Sequence, residues 1–151
     1  MLVTIQGQRQ YLWRAVDQDG DVLDILVQRR RNQKAAERFF RRLLKDQSRK
    51  PRWLITDKLK SYGAAHRTMM STVDHINHIY ANNRAEVSHE PTRQRERAMR
   101  RFKSPRQAQE FLTLHGLTQN LFHLGRHLLQ AVNYRLLRAR ALQAWQDVVC
   151  A

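Results

Sequence analysis

The sequence predicts an α/β protein on a mixed sheet: three antiparallel strands plus parallel strands, with covering helices and a helical C-terminal third. Three observations predict it. The first third holds short runs of aromatic and branched residues separated by turn residues. At Asn32 the apolar period changes to three and four. A short continuous apolar run, Trp53-Leu54-Ile55-Thr56, then lies between two helical stretches.

Leu2-Val3-Thr4-Ile5 reads as the first strand, and Gln6-Gly7-Gln8 as its turn. Residues 11–16 and 22–27 read as the second and third strands. Asp17-Gln18-Asp19-Gly20-Asp21 turns between them, with Gly20 free to take positive φ. Together they form an antiparallel meander. From Asn32, a plausible N-cap, the residues Ala35, Ala36, Phe39, Phe40, Leu43 and Leu44 form one apolar helix stripe, opposite Arg38, Arg41, Arg42 and Lys45. Residues 48–52 break that helix. Residues 53–56 are then expected as a buried, parallel strand, residues 58–70 as a helix, and residues 73–79 as a further short strand. Residues 83–101, 105–114 and 117–148 read as helices. The last carries an apolar series at Leu121, Leu124, Leu128, Val132, Leu136 and Leu142. Pro91 kinks the first of these or begins a new helix.

The 151 residues suit one domain, and 42% of them are apolar, enough for a core. The charge decides the class of partner. With 28 Lys and Arg against 13 Asp and Glu, the net charge is +15. Nucleic acid is the first candidate, because phosphate contacts release counterions, and an anionic membrane surface is second. Residues 29–52 carry eleven Lys and Arg against two acids, and residues 84–106 eight against three. The alternative for each is a solvated face. The one cysteine, Cys150, excludes a disulfide within the chain. No apolar run approaches the roughly 20 residues that span a bilayer, and no signal pattern opens the chain. A soluble cytoplasmic protein is expected.

Asp57 stands where an apolar strand ends and a helix begins, the place where ligands gather in open α/β sheets. Spacing leaves it either a metal ligand or a helix N-cap. Glu86 lies near the start of a helix, with His89, Glu90, Arg93 and Arg97 following on a shared face. It is either a second metal ligand or one member of a salt-bridged surface. Two carboxylates are wanted because phosphodiester transfer needs charge stabilised on both an attacking and a leaving oxygen. Asp17, Asp19 and Asp21 lack the glycine and glutamate spacing of a calcium loop and read as a hairpin turn. His75 and His78, and the set His115, His123 and His127, stand at no zinc or metalloprotease spacing.

At Thr56-Asp57-Lys58 and Asn82-Asn83-Arg84-Ala85-Glu86 the chain resembles transposases of the insertion-sequence-six family. The segments 11–17, 54–62, 82–86, 91–93 and 100–104 carry the likeness, which covers essentially the whole chain. The resemblance implies a ribonuclease-H-like core with an Asp-Asp-Glu triad and two metal ions, magnesium or manganese. Asp57 would be the second acid and Glu86 the third, both catalytic and metal-binding. Lys58, Lys60, Arg84, Arg93, Arg97, Arg100, Arg101 and Lys103 would bind DNA, the transposon ends and target. The intact family protein is expected to be a homo-oligomer that is nucleoid-associated when bound to DNA.

Against the family pattern, the first aspartate and the helix-turn-helix region both precede the stretch matching Met1. Residues 1–151 are therefore expected to be one N-terminally truncated catalytic domain, inactive by itself, either a gene remnant or a chain whose start codon is assigned too far downstream. Asp17 and Asp24 are not assigned as substitutes. The competing expectation is a non-catalytic basic fragment that binds DNA or oligomerises. A nuclease unrelated to transposition is a third, disfavoured by the family motifs.

Overall fold

A computed structural model describes residues 1–47, 50–77, 83–125 and 129–150. The chain opens with a meander, β1 (Leu2–Ile5), β2 (Gln8–Val16) and β3 (Val22–Gln28), paired antiparallel in that order. Its first turn has positive φ at both Gln6 and Gly7, the geometry that matches strand twist in two-residue hairpins. In the second, Gly20 sits at φ 94° while Asp17 Oδ1 accepts from the backbone N–H groups of Asp19 and Asp21, each at 2.9 Å. The aspartates therefore build a hairpin, as expected.

Helix α1 (Gln33–Gln47) follows, and Asn32 caps it by accepting from Ala35 N at 3.0 Å. Next come β4 (Trp53–Ile55), α2 (Lys60–Met69) and β5 (Asp74–Ile76). β4 and β5 pair in parallel, as the crossover predicted. They form their own two-stranded sheet, whereas one continuous mixed sheet was expected. Each strand has only three residues, so few ladder bonds exist to extend the sheet. β4 is also not the buried strand predicted. Trp53 and Ile55 are 55% and 45% exposed, and the Arg52 guanidinium lies over the Trp53 ring, 4.9 Å from its centroid.

The C-terminal half is helical, with different boundaries. The helical span read over 83–101 is two helices, α3 (Asn83–Val87) and α4 (Glu90–Ala98), so that of the two alternatives at Pro91 a new helix is the one found, with Pro91 in its first turn, where its missing N–H costs nothing. Helix α5 (Pro105–Phe122) runs straight through Gly116, joining two predicted helices. It starts at Ser104, whose Oγ accepts from Gln107 N at 3.1 Å. The chain leaves helix after Phe122 and resumes in α6 (Ala131–Val149). The apolar series drawn from Leu121 to Leu142 is therefore not one stripe, and Val132, Leu136 and Leu142 are exposed. His78, Asn82, His127 and Leu128 lie outside the described residues.

Alternation along β2 sends successive side chains to opposite faces of the meander. Trp13 joins Ala35, Ala36, Phe39, Phe40, Ala65 and Met70 in a core under α1 and α2. Leu12 joins Val3, Ile5, Ile25, Ala108 and Leu112 in a second core under α5. Helices thus cover both faces of the three-stranded sheet. Burial of each large apolar side chain contributes about 1.5–3 kcal/mol.

Helix α5 also closes the outer edge of β3. Gln109 accepts from Val27 N and donates to Ile25 O, each at 2.8 Å. Asn120 accepts from Val22 N and donates to Val22 O, also at 2.8 Å. Two amide side chains thus take the place of a fourth strand along that edge.

Candidate functional site

Asp57 follows β4 directly. Its Oδ1 accepts from Leu59 N at 3.0 Å, which fixes the turn into α2. Its Oδ2 pairs with Arg31 Nη2 at 2.8 Å, and both side chains are partly exposed. Oδ1 reaches an N–H two residues on, so Asp57 forms a local turn, and Leu59, the N-cap of α2, has no side-chain cap bond.

The peptide at Asp57 is held from beneath. Thr56, 5% exposed, donates from Oγ1 to Asp57 O at 3.0 Å and from N to Ile76 O at 3.0 Å. The same hydroxyl lies 2.8 Å from His75 Nε2, whose ring lies 4.8 Å from that of His66. Burial, then the neighbouring His66, lowers the pKa of His75. His75 is thus a structural support, and among the described residues no three His, Cys, Asp or Glu side chains gather as a metal site.

Glu86 sits on α3, which packs against β2. Its side chain is exposed and makes no hydrogen bond or ion pair with a described residue. What places this segment is Arg14 on β2. Its guanidinium donates to Ser88 O and to Thr92 Oγ1, the latter at 2.6 Å. Arg14 is buried with no carboxylate partner among the described residues, and burial lowers its pKa to about 10. His89, one turn after Glu86, has its pKa lowered to about 3, first by burial and then by the Met1 ammonium, Arg14 and Arg93. The ammonium is lowered to about 6 by burial, then by Arg31 and Arg93, with Asp57 acting the other way. The start of β1, the end of β4 and the α3–α4 corner are thus electrostatic neighbours. Tyr62 shares that neighbourhood: burial, then Asp57, raises the pKa of its phenol.

Of the expected DNA-binding residues, Lys58, Lys60, Arg93, Arg97, Arg100, Arg101 and Lys103 are exposed. The side chain of Arg84 lies outside what is described. Arg97, Arg100 and Arg101 line a shallow cleft with Glu96. The sequence reading missed Arg31 and the strut made by Arg14. Arg31 is one of three consecutive arginines, and nothing in the run distinguishes it. Arg14 is an arginine inside an apolar strand, a pattern that signals a buried partner.

A family model described as a DDE domain matches residues 1–124. Chains similar to this one include the transposase for insertion sequence-like element IS431mec of Staphylococcus aureus, 34% identical over 92 residues, which cover 58% of this chain and 41% of that one. The transposase for insertion sequence element IS257 in transposon Tn4003, also of S. aureus, matches to the same extent. An uncharacterised protein of Yersinia pseudotuberculosis is 39% identical over 70 residues, covering 45% of this chain and 65% of that one. No solved structure matches significantly. The fold and the match define a DDE domain of mixed α/β architecture. The chain belongs to the insertion-sequence-six family of DDE transposases. It matches about 41% of the length of its curated transposase relatives.

Proposed function

We propose that this chain is the catalytic domain of a DNA transposase and that residues 1–151 make one ribonuclease-H-like unit. The single observation that carries the reading is Asp57, a partly exposed carboxylate at the carboxyl end of β4, inside the DDE match and paired with Arg31. In the family reaction, cleavage and strand transfer at insertion-sequence ends, magnesium or manganese stabilises charge on the attacking and leaving oxygens.

The donor chemistry fits one share of such a site. Asp57 offers hard carboxylate oxygens and already holds a positive group at 2.8 Å. Glu86 would supply a second carboxylate from α3, whose position Arg14 sets. Lys58, Lys60, Arg84, Arg93, Arg97, Arg100, Arg101 and Lys103 would hold the DNA backbone.

Among the described residues no three His, Cys, Asp or Glu side chains gather as a metal site, and the chain is proposed to bind DNA without completing strand transfer unaided. The net charge of +15 supports DNA binding, which the catalytic reading and the non-catalytic, DNA-binding or oligomerising one share. Among the described residues no helix is long and apolar enough to cross a membrane. The charge and the transposase relatives support a cytoplasmic protein that meets the nucleoid through DNA.

The test incubates the chain and its Asp57→Asn and Glu86→Gln variants with labelled transposon-end DNA and magnesium or manganese. Salt-sensitive binding with no joined product is expected. Strand transfer by the unaided chain, lost in Asp57→Asn, would establish a complete enzyme. No DNA binding at low salt would sink the reading altogether.

A further inference from the structure

Asp57 is one carboxylate among many positive groups. Arg31 pairs with it at 2.8 Å, and the Met1 ammonium is close enough to feel both. Arg31 ends the exposed run Arg29-Arg30-Arg31 between β3 and α1. A single carboxylate cannot neutralise that surplus. A divalent cation at Asp57 would meet the Arg31 guanidinium at close range, and like charges there repel. Arg31 can turn away at little cost, because its side chain is 45% exposed and exposed ion pairs are weak. Once turned, it needs an anion, and a guanidinium matches phosphate oxygens as well as carboxylate oxygens.

We propose that Arg31 is a hand-over residue: it neutralises Asp57 in the free protein and passes to a DNA phosphate when a divalent cation takes the carboxylate. The proposal rests on Asp57 being a metal ligand. It makes cation and DNA binding reciprocal, since each must tighten the other by the same factor. This runs against the usual behaviour of divalent cations, which compete for phosphates and weaken binding.

The experiment compares the full chain with Arg31→Gln and Asp57→Asn. Manganese binding is followed by electron paramagnetic resonance. Binding of a mixed-sequence DNA duplex is followed by fluorescence anisotropy, with and without manganese at constant ionic strength. Thermal melts establish that each variant folds.

Manganese should tighten DNA binding of the unmodified chain about two- to fivefold, the range expected of an exposed ion pair. Arg31→Gln should bind manganese tighter by a similar factor and lose the coupling. Asp57→Asn should lose the manganese site and bind DNA without manganese as tightly as the unmodified chain does with it. No coupling in the unmodified chain, or coupling retained in Arg31→Gln, overturns the hand-over. Manganese binding retained in Asp57→Asn overturns the reading of Asp57 itself.

Discussion

Arg14 Nη2 donates to Thr92 Oγ1 at 2.6 Å, a bond between the middle strand of the meander and the first turn of α4 that spans 78 positions of sequence. Thr92 is fully buried, and Ser88 O accepts from the same guanidinium. Two short helices with little core of their own are thereby fixed to the sheet. Arg14→Ala should destabilise the chain by about 2–3 kcal/mol, because it strands a buried hydroxyl and a carbonyl. Urea denaturation checks this. A loss under about 0.5 kcal/mol would mean that the strut contributes little.

The amide seal on β3 makes a second prediction. Asn120→Ala and Gln109→Ala each leave backbone groups of β3 without their partners and should each cost about 1–2 kcal/mol. Both should also increase self-association, since an open edge is a template for pairing. Light scattering at matched stability separates the two effects. Unchanged scattering in the double variant would show that the edge is protected by other means.

Helix α4 ends with Arg100 at φ 54° and Arg101 at φ 74°, and Arg101 N donates to Glu96 O at 3.0 Å. Glycine is the residue that ordinarily takes such a helix end. Arg101→Gly should therefore stabilise the fold by about 0.5–1 kcal/mol while weakening DNA binding. Melting and anisotropy on the same sample should move in opposite directions. A parallel loss of both would place the Arg101 side chain in the fold instead.

Acid should destabilise the chain in two steps. The Met1 ammonium titrates at about 6 when folded against an ordinary 8.0, and His89 at about 3 against 6.5. Below those ordinary values the unfolded chain binds protons that the folded chain refuses, so stability falls as pH falls. The first loss runs from 8.0 to about 6 and the second from 6.5 to about 3. Asp24 works in the opposite sense. Burial raises its pKa, although Arg42 at 3.0 Å opposes this, so stability falls as pH rises through its range and acidification there restores some. His89→Gln should flatten the slope of the urea midpoint below pH 6.5. An unchanged slope would assign the acid sensitivity elsewhere.

The local chemistry of the chain was readable where single residues dictate geometry. Gly20, the Asp17 turn, the Asn32 cap and the α1 stripe all follow from steric and hydrogen-bond preferences within a few residues. The break read between residues 114 and 117 does not exist, although Gly116 lies there. Gly116 instead lets α5 approach β3, since a Cβ there would stand 3.2 Å from Ile25 Cδ1 and 3.3 Å from Val22 Cγ1. The exposure of Trp53 and Ile55 was hidden for a related reason: an apolar run states preference, and neighbours decide burial. Asp57 was singled out from its position after an apolar strand, and the structure places it directly after β4. Its pairing with Arg31 joins residues 26 positions apart, and no spacing rule connects them.

The amides of Gln109 and Asn120 also set a limit on how copies of this chain can join through their strands. Endless stacking of sheets needs two usable margins, one to receive and one to offer. With β3 sealed and β1 paired only to β2 among the described residues, the meander has a single margin left. Two copies meeting there, β1 against β1, would consume each other's only open side, so growth by that route terminates at a pair and never becomes a fibre.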